Sequence, residues 1–136
     1  AAGALIVGSP VYLGSGTGET QSFLERLVFP YLTYTDPPGT LFPRRVRTAF
    51  VYTMGLPEEA MEQFGYPQRF AAAGRLLERI FGGSEQLLCC DTYQFEDYSK
   101  VYAPRFDQAK KLQRRREVFP ADCRKAFELG ARLAGA

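Results

Sequence analysis

Ala4-Leu5-Ile6-Val7, closed by Gly8-Ser9-Pro10, is the stretch on which the fold turns. Its apolar residues stand at successive positions. A strand with one wet face alternates, whereas a strand covered on both faces does not. The run therefore predicts an interior strand of a parallel sheet, and Pro10, lacking an N–H, ends its ladder. Val11 to Gly18 (VYLGSGTG) follows as a glycine-rich loop. Thr17 is placed to cap a helix. Phe23, Leu24, Leu27 and Val28 then recur at helical spacing over 18–29, until Pro30 stops the helix.

Further along, strands are expected over 46–53 and 86–90, and helices over 58–64, 68–81, 106–117 and 120–134. The 68–81 helix presents Phe70, Ala73, Leu76, Leu77, Ile80 and Phe81 on one face, with Gly82-Gly83 as its stop. The last helix is expected to turn Ala126, Phe127, Gly130 and Leu133 inward. Residues 31–45 form a long connection around Asp36-Pro37-Pro38-Gly39. Strands alternating with helices predict an α/β fold, a doubly wound parallel sheet with right-handed crossovers, in one domain over 1–136. Three parallel strands covered on both faces would leave a long apolar edge, which proteins avoid. Two further βα units ahead of the 4–7 strand are therefore expected, by analogy with five-stranded doubly wound folds.

Composition narrows the chemistry. The chain has 136 residues, 46% hydrophobic and 24% charged, the range of a globular domain. It contains no histidine, which removes the usual general base, the Ser-His and Cys-His nucleophile systems and the commonest zinc ligand. Its three cysteines, Cys89, Cys90 and Cys123, include no C-x-x-C spacing, so no zinc ribbon or complete iron–sulfur site is expected, and no metal. That usage fits a reducing cytoplasm. No apolar run is long enough to cross a bilayer. Net charge is +2, but residues 105–125 hold eight basic side chains against three acidic ones. Lys110, Lys111, Arg114, Arg115 and Arg116 lack interleaved aromatics, so they read as a solvated helix face, not a nucleic-acid surface.

In open parallel sheets ligands sit beyond the C-terminal strand ends. The loops 9–17, 54–57 and 91–98 occupy that rim. Gly14-Ser15-Gly16-Thr17-Gly18-Glu19-Thr20 approaches a P-loop, but Glu19 stands where the phosphate-binding lysine belongs and would repel phosphate. Gly14, Gly16 and Gly18 are spaced two by two, so the dinucleotide pattern G-x-G-x-x-G is unmatched. On spacing alone the segment is a strand-to-helix turn. Cys89 and Cys90 would point to opposite faces of a strand and pack there. Asp91, Glu96 and Asp97 lie on the rim, where caps and turns employ such residues.

Several stretches together carry a resemblance. Gly8-Ser9-Pro10-Val11-Tyr12, Gly14-Ser15, Thr17-Gly18-Glu19 and Phe23-Leu24-Glu25-Arg26-Leu27 resemble the third strand, flavin loop and third helix of flavodoxin-like FMN oxidoreductases, the NAD(P)H-dependent FMN reductase and iron–sulfur flavoprotein group. Residues 47–54 resemble the fourth strand, Asp91-Thr92-Tyr93-Gln94-Phe95 the segment after the fifth, and Phe119-Pro120 with Ala126–Gly130 the closing helix. The resemblance implies a three-layer αβα domain binding FMN. Ser9, Pro10, Val11, Tyr12, Leu13 and Gly14 would line the isoalloxazine, Thr53, Met54 and Gly55 would form a second flavin-contacting loop, and Tyr93 would stack near the ring or close the pocket. No residue would be catalytic in its own right, because hydride from NAD(P)H passes through the flavin to a small acceptor such as a quinone or free flavin. The family's phosphate loop and cysteine cluster lie upstream of the matched region. The resemblance also implies a homodimer, with Phe119 and the 31–43 loop at its contact. The alternative is a flavodoxin-type electron-transfer module without turnover. Less favoured is a receiver-like regulatory domain, since no phospho-acceptor Asp ends the 4–7 strand.

Overall fold

In the computed structural model, which describes residues 3–135, the strand begun at Ala4 runs on to Tyr12 as β1 (Ala4–Tyr12). The expected end at Pro10 holds for one partner only. The parallel ladder to β3 (Arg47–Thr53) stops at the Pro10–Thr53 rung. Beyond it β1 pairs through its other edge, antiparallel, with the two-residue β2 (Ser15–Gly16). The segment expected to be a loop is thus a hairpin, closed by Leu13-Gly14. Both of these residues have positive φ, 53° and 86°, the pairing a two-residue hairpin turn of the primed type requires.

β4 (Ser84–Cys89) joins the far side of β3 in parallel, giving the order β2-β1-β3-β4. The fold is α/β, with a four-stranded, mostly parallel open sheet. Helices α1 (Gly18–Val28), α2 (Tyr66–Phe81), α3 (Gln108–Glu117) and α4 (Phe119–Ala134) complete it. The expected 58–64 helix is instead two short 3-10 turns, Glu58–Ala60 and Glu62–Phe64, separated from α2 by Gly65 at φ 66°.

α1 begins where Thr17 caps it, accepting from the Thr20 N–H. Glu19 sits in the first turn, and hydrogen bonds from its own N–H and from Thr17 hold its carboxyl below the usual range. α2 stops at Gly82, whose φ of 95° ends the helix, while Arg45 donates to the Gly82 carbonyl. At the same end of the sheet Arg47 donates to the last carbonyls of α4, at 2.8 Å to Arg132 and 3.3 Å to Leu133.

The core divides across the sheet. Val7, Phe50 and Tyr52 face α1 and α2 and meet Leu24, Val28, Phe70, Leu77 and Ile80. Ala49 faces the other way and meets only Leu129 and Leu133 of α4 among buried residues. The expected inward face of α4 is therefore rotated. Leu129 and Leu133, one turn apart, carry the packing, while Phe127 is 79% exposed and Ala126 is exposed. The cause is the sheet beneath: α4 packs over β3 and β4, and the neighbouring surface of β1, Ile6 and Gly8, remains uncovered. Among the described residues no strand pairs with the remaining edge of β1 over residues 4–10. No helix among them is long and apolar enough to cross a membrane.

Candidate functional site

The three parallel strands end level with one another. Pro10, Thr53 and Cys89 share the last rungs, so the chain leaving each enters a common rim. Among the described residues two non-glycines have a left-handed backbone, Leu13 and Asp91, and both lie on this rim. Such conformations cost about 1 kcal/mol or more for a residue with a Cβ and gather at functional sites.

The β1–β2 hairpin is held from below and behind. Ser9 is buried, and its Oγ accepts from the Thr17 N–H and the Thr20 hydroxyl, both at 3.0 Å, and donates to the Pro10 carbonyl at 2.8 Å. Its side chain therefore faces α1, and Ser9 would reach a ligand only through its backbone. Arg69 of α2 donates to the Leu13 carbonyl at 3.0 Å. A Cβ on Gly14 would collide with that guanidinium and press on Tyr66, so the turn requires glycine on two counts. The clamped tip projects Tyr12, 59% exposed, and Leu13, 97% exposed. The N–H groups of Leu13 and Gly14, central in the turn, donate to no backbone acceptor among the described residues.

The second loop is laced to the third. The Met54 N–H donates to the Cys89 carbonyl, the Asp91 N–H to Leu56, and the Thr92 N–H and hydroxyl both to Met54. Met54 is buried, while Thr53 is exposed. Gly55 lies beneath Gln94 and Phe106. Tyr93 is held on the far side of the rim, its ring 5.1 Å from Tyr98 and under the Arg115 guanidinium, its hydroxyl near Gln108. The structure thus brings Pro10–Gly14 and Thr53–Gly55 to adjoining strand ends, whereas the partners of Tyr93 belong to α3 and the 3-10 turn Tyr98–Lys100.

Sequence reading missed an ionic cluster against this rim. Lys111 is only 5% exposed, and its ammonium pairs with Asp91 and donates to the Gly55 carbonyl at 2.8 Å, 4.8 Å from the Phe106 ring centroid. Arg114 reaches Asp91 at 3.9 Å and the buried Asp122 at 3.5 Å. Two residues of the basic run are therefore turned inward, not solvated. The signal was present: α3 (QAKKLQRRRE) offers little but Leu112 as an apolar anchor, so it can dock only through charge. Asp97, by contrast, caps its own turn through the Ser99 N–H and hydroxyl, which hold its carboxyl below the usual range.

An open cleft of about 1270 Å³ runs along α1 and α2, lined by Leu24, Val28, Tyr52, Phe70 and Leu76 and reaching Ser15 and Gly16 at the hairpin. It includes none of Ser9–Gly14 or Thr53–Gly55. Among the described residues no group of three or more His, Cys, Asp or Glu side chains is gathered as a metal site. No protein-family model, curated protein or solved structure matches the chain at a significant level.

Proposed function

We propose that this chain carries the flavin-ring platform of a flavodoxin-like, FMN-dependent NAD(P)H oxidoreductase that reduces a small acceptor in the cytoplasm. The observation that supports it is the clamped hairpin at the C-terminal end of β1, presenting an exposed, left-handed Leu13 beside Tyr12. A flat, half-polar ring needs an apolar surface and fixed donors at its edge. Tyr12 and Leu13 offer the first, and the turn N–H groups of Leu13 and Gly14 the second. In this role the hairpin orients the ring, Arg69 holds the Leu13 peptide, and the laced 54–56 and 89–92 segments border the ring's site from the adjoining strand ends. Bound FMN supplies hydride transfer at N5, chemistry that asks for no histidine.

The finer architecture belongs to the same proposal. The unpaired edge of β1 and its uncovered Ile6 side fit a further parallel strand beside β1, with a helix over Ile6 and Gly8. α1 joins β1 to β3 across one face. A right-handed crossover on the opposite face must advance the other way, away from β3. The added strand would therefore pass to one farther out before the chain returned to β1, which gives a three-layer order with five parallel strands beside the short antiparallel β2. The FMN phosphate would be held by that added part. A homodimer would use the 31–43 loop, where Tyr34 and Leu41 are exposed.

The test is a visible absorption spectrum of freshly purified complete protein, before and after adding FMN. A bound flavin band is expected, with affinity weakened at least about tenfold by Tyr12→Ala or Gly14→Val. A folded complete protein that binds no FMN, or unchanged affinity in both variants, overturns the reading. Steady oxidation of NAD(P)H then separates an enzyme from an electron carrier.

A further inference from the structure

The basic run on α3 has an inward half whose geometry is specific. Lys111 extends from α3 to the rim and joins two loops that are distant in sequence, 54–57 after β3 and 91–94 after β4. Its ammonium donates to the Gly55 carbonyl, pairs with the Asp91 carboxylate and lies near the Phe106 ring. Asp91 is itself in the left-handed region, and its N–H is tied to Leu56. Arg114, one turn along α3, braces the same carboxylate and bridges to Asp122 at the start of α4. A buried ammonium is costly unless its donors are met by charge and carbonyls. Here they are, so displacing Lys111 would leave Asp91 with a weaker partner and free the Gly55 peptide to rotate.

We propose that Lys111 is a positioning residue for the rim: it fixes the Gly55 peptide and the Asp91 backbone, and so sets the shape of the two loops bordering the β1–β2 hairpin. Its effect on a bound ring rests on the flavin reading above, whereas its effect on the loops does not. α3 then acts as a strap, with Lys111 as its fastening and Arg114 as the brace that keeps Asp91 in register. The exposed partners on the same helix, such as Lys110 with Asp107 at 4.0 Å, take no part.

Hydrogen–deuterium exchange of the complete protein, wild type against Lys111→Met, tests the proposal without a ligand. Methionine keeps length and apolar stem while removing charge and donors. Exchange at the hydrogen-bonded amides of these segments, Met54, Asp91, Thr92 and Gln94, is expected to accelerate about tenfold, with the amides of β1 and β3 unchanged. Unchanged exchange in those two segments overturns the proposal. So does acceleration spread evenly through the sheet, which would make Lys111 a general stabiliser. Asp91→Asn, which tolerates the left-handed backbone, gives a milder second variant: the same amides should loosen, less than in Lys111→Met, and unchanged exchange at positions 91 and 92, whose N–H groups tie the two loops together, overturns the proposal. FMN titration is run in parallel. If the wild type binds FMN, Lys111→Met should weaken it about tenfold; equal affinity would remove the ligand half of the proposal. If the wild type binds none while the exchange pattern appears, the flavin reading fails and the positioning role stands.

Discussion

β3 carries two rows of side chains of very different size. Phe50 and Tyr52 point toward α1 and α2, stacked with ring centroids 4.3 Å apart, and Tyr52 stacks again on Phe70 at 4.3 Å. Ala49 and Val51 point toward α4 and meet two leucines. One face is filled with aromatics from β3 and α2. The other is a thin contact of small strand residues with one helix. Both faces belong to the same seven residues, so the asymmetry is written in the alternation of RTAFVYT and not in the strand as a whole. The lesson is that one sheet can have its stability on one face and a thin, partly uncovered surface on the other.

The sharpest way to break the comparison is Phe50→Ala. Phe50 is fully buried in a dense stack, and its loss should cost about 4 kcal/mol in urea unfolding. Leu129→Ala on the thin face should cost about 2 kcal/mol, because neighbours there can close on the gap. Equal losses would show that the two faces contribute alike. Alkaline pH probes the dense face next. Burial pushes the Tyr52 hydroxyl up to about 12 and the Cys90 thiol up to about 11. The fold favours the protonated forms. The stabilisation from Tyr52 is whole below its unfolded value of 10.0 and is lost as pH rises toward about 12, and that from Cys90 is whole below 9.0 and is lost toward about 11. Tyr52→Phe should flatten the upper part of that decline in a series of melts, and an unchanged slope would exclude Tyr52 as its source. The smallest effect is kinetic. Cys89 and Cys90 are neighbours under opposite faces, Cys89 toward Asp122 and Arg114 and Cys90 against Met61. Thiol modification of native protein should take the exposed Cys123 first, Cys89 next and Cys90 last. Simultaneous modification of Cys89 and Cys90 would mean that the faces open as one unit.

Much of this frame was legible in the sequence. The consecutive apolar residues of 4–7, the strands expected over 46–53 and 86–90 and the alternation with helices led to parallel pairing, and the opposed directions of Cys89 and Cys90 followed from period two. The hairpin was not legible. A primed turn is signalled by Asn-Gly or Gly-Gly, and here its first left-handed position holds leucine. The rotation of α4 was missed because Phe127 is apolar, and hydrophobicity alone does not tell which apolar residues a sheet reaches. Lys111 was missed because its partners, Gly55 and Asp91, lie on two other segments, and only the fold brings them to one end of the sheet.

The placement of β2 has a mechanical consequence. Ser15 and Gly16 occupy the edge of β1 at Val11 and Tyr12, leaving residues 4–10 open below them. At about 3.3 Å per residue that is a slot some 23 Å long with a closed top. A strand added along β1 would meet the hairpin and could slide no farther. Because a slip of one residue would turn every side chain to the wrong face, such a stop works as a ruler. The turn that offers Leu13 at its tip would also measure, at its base, where any added strand must come to rest.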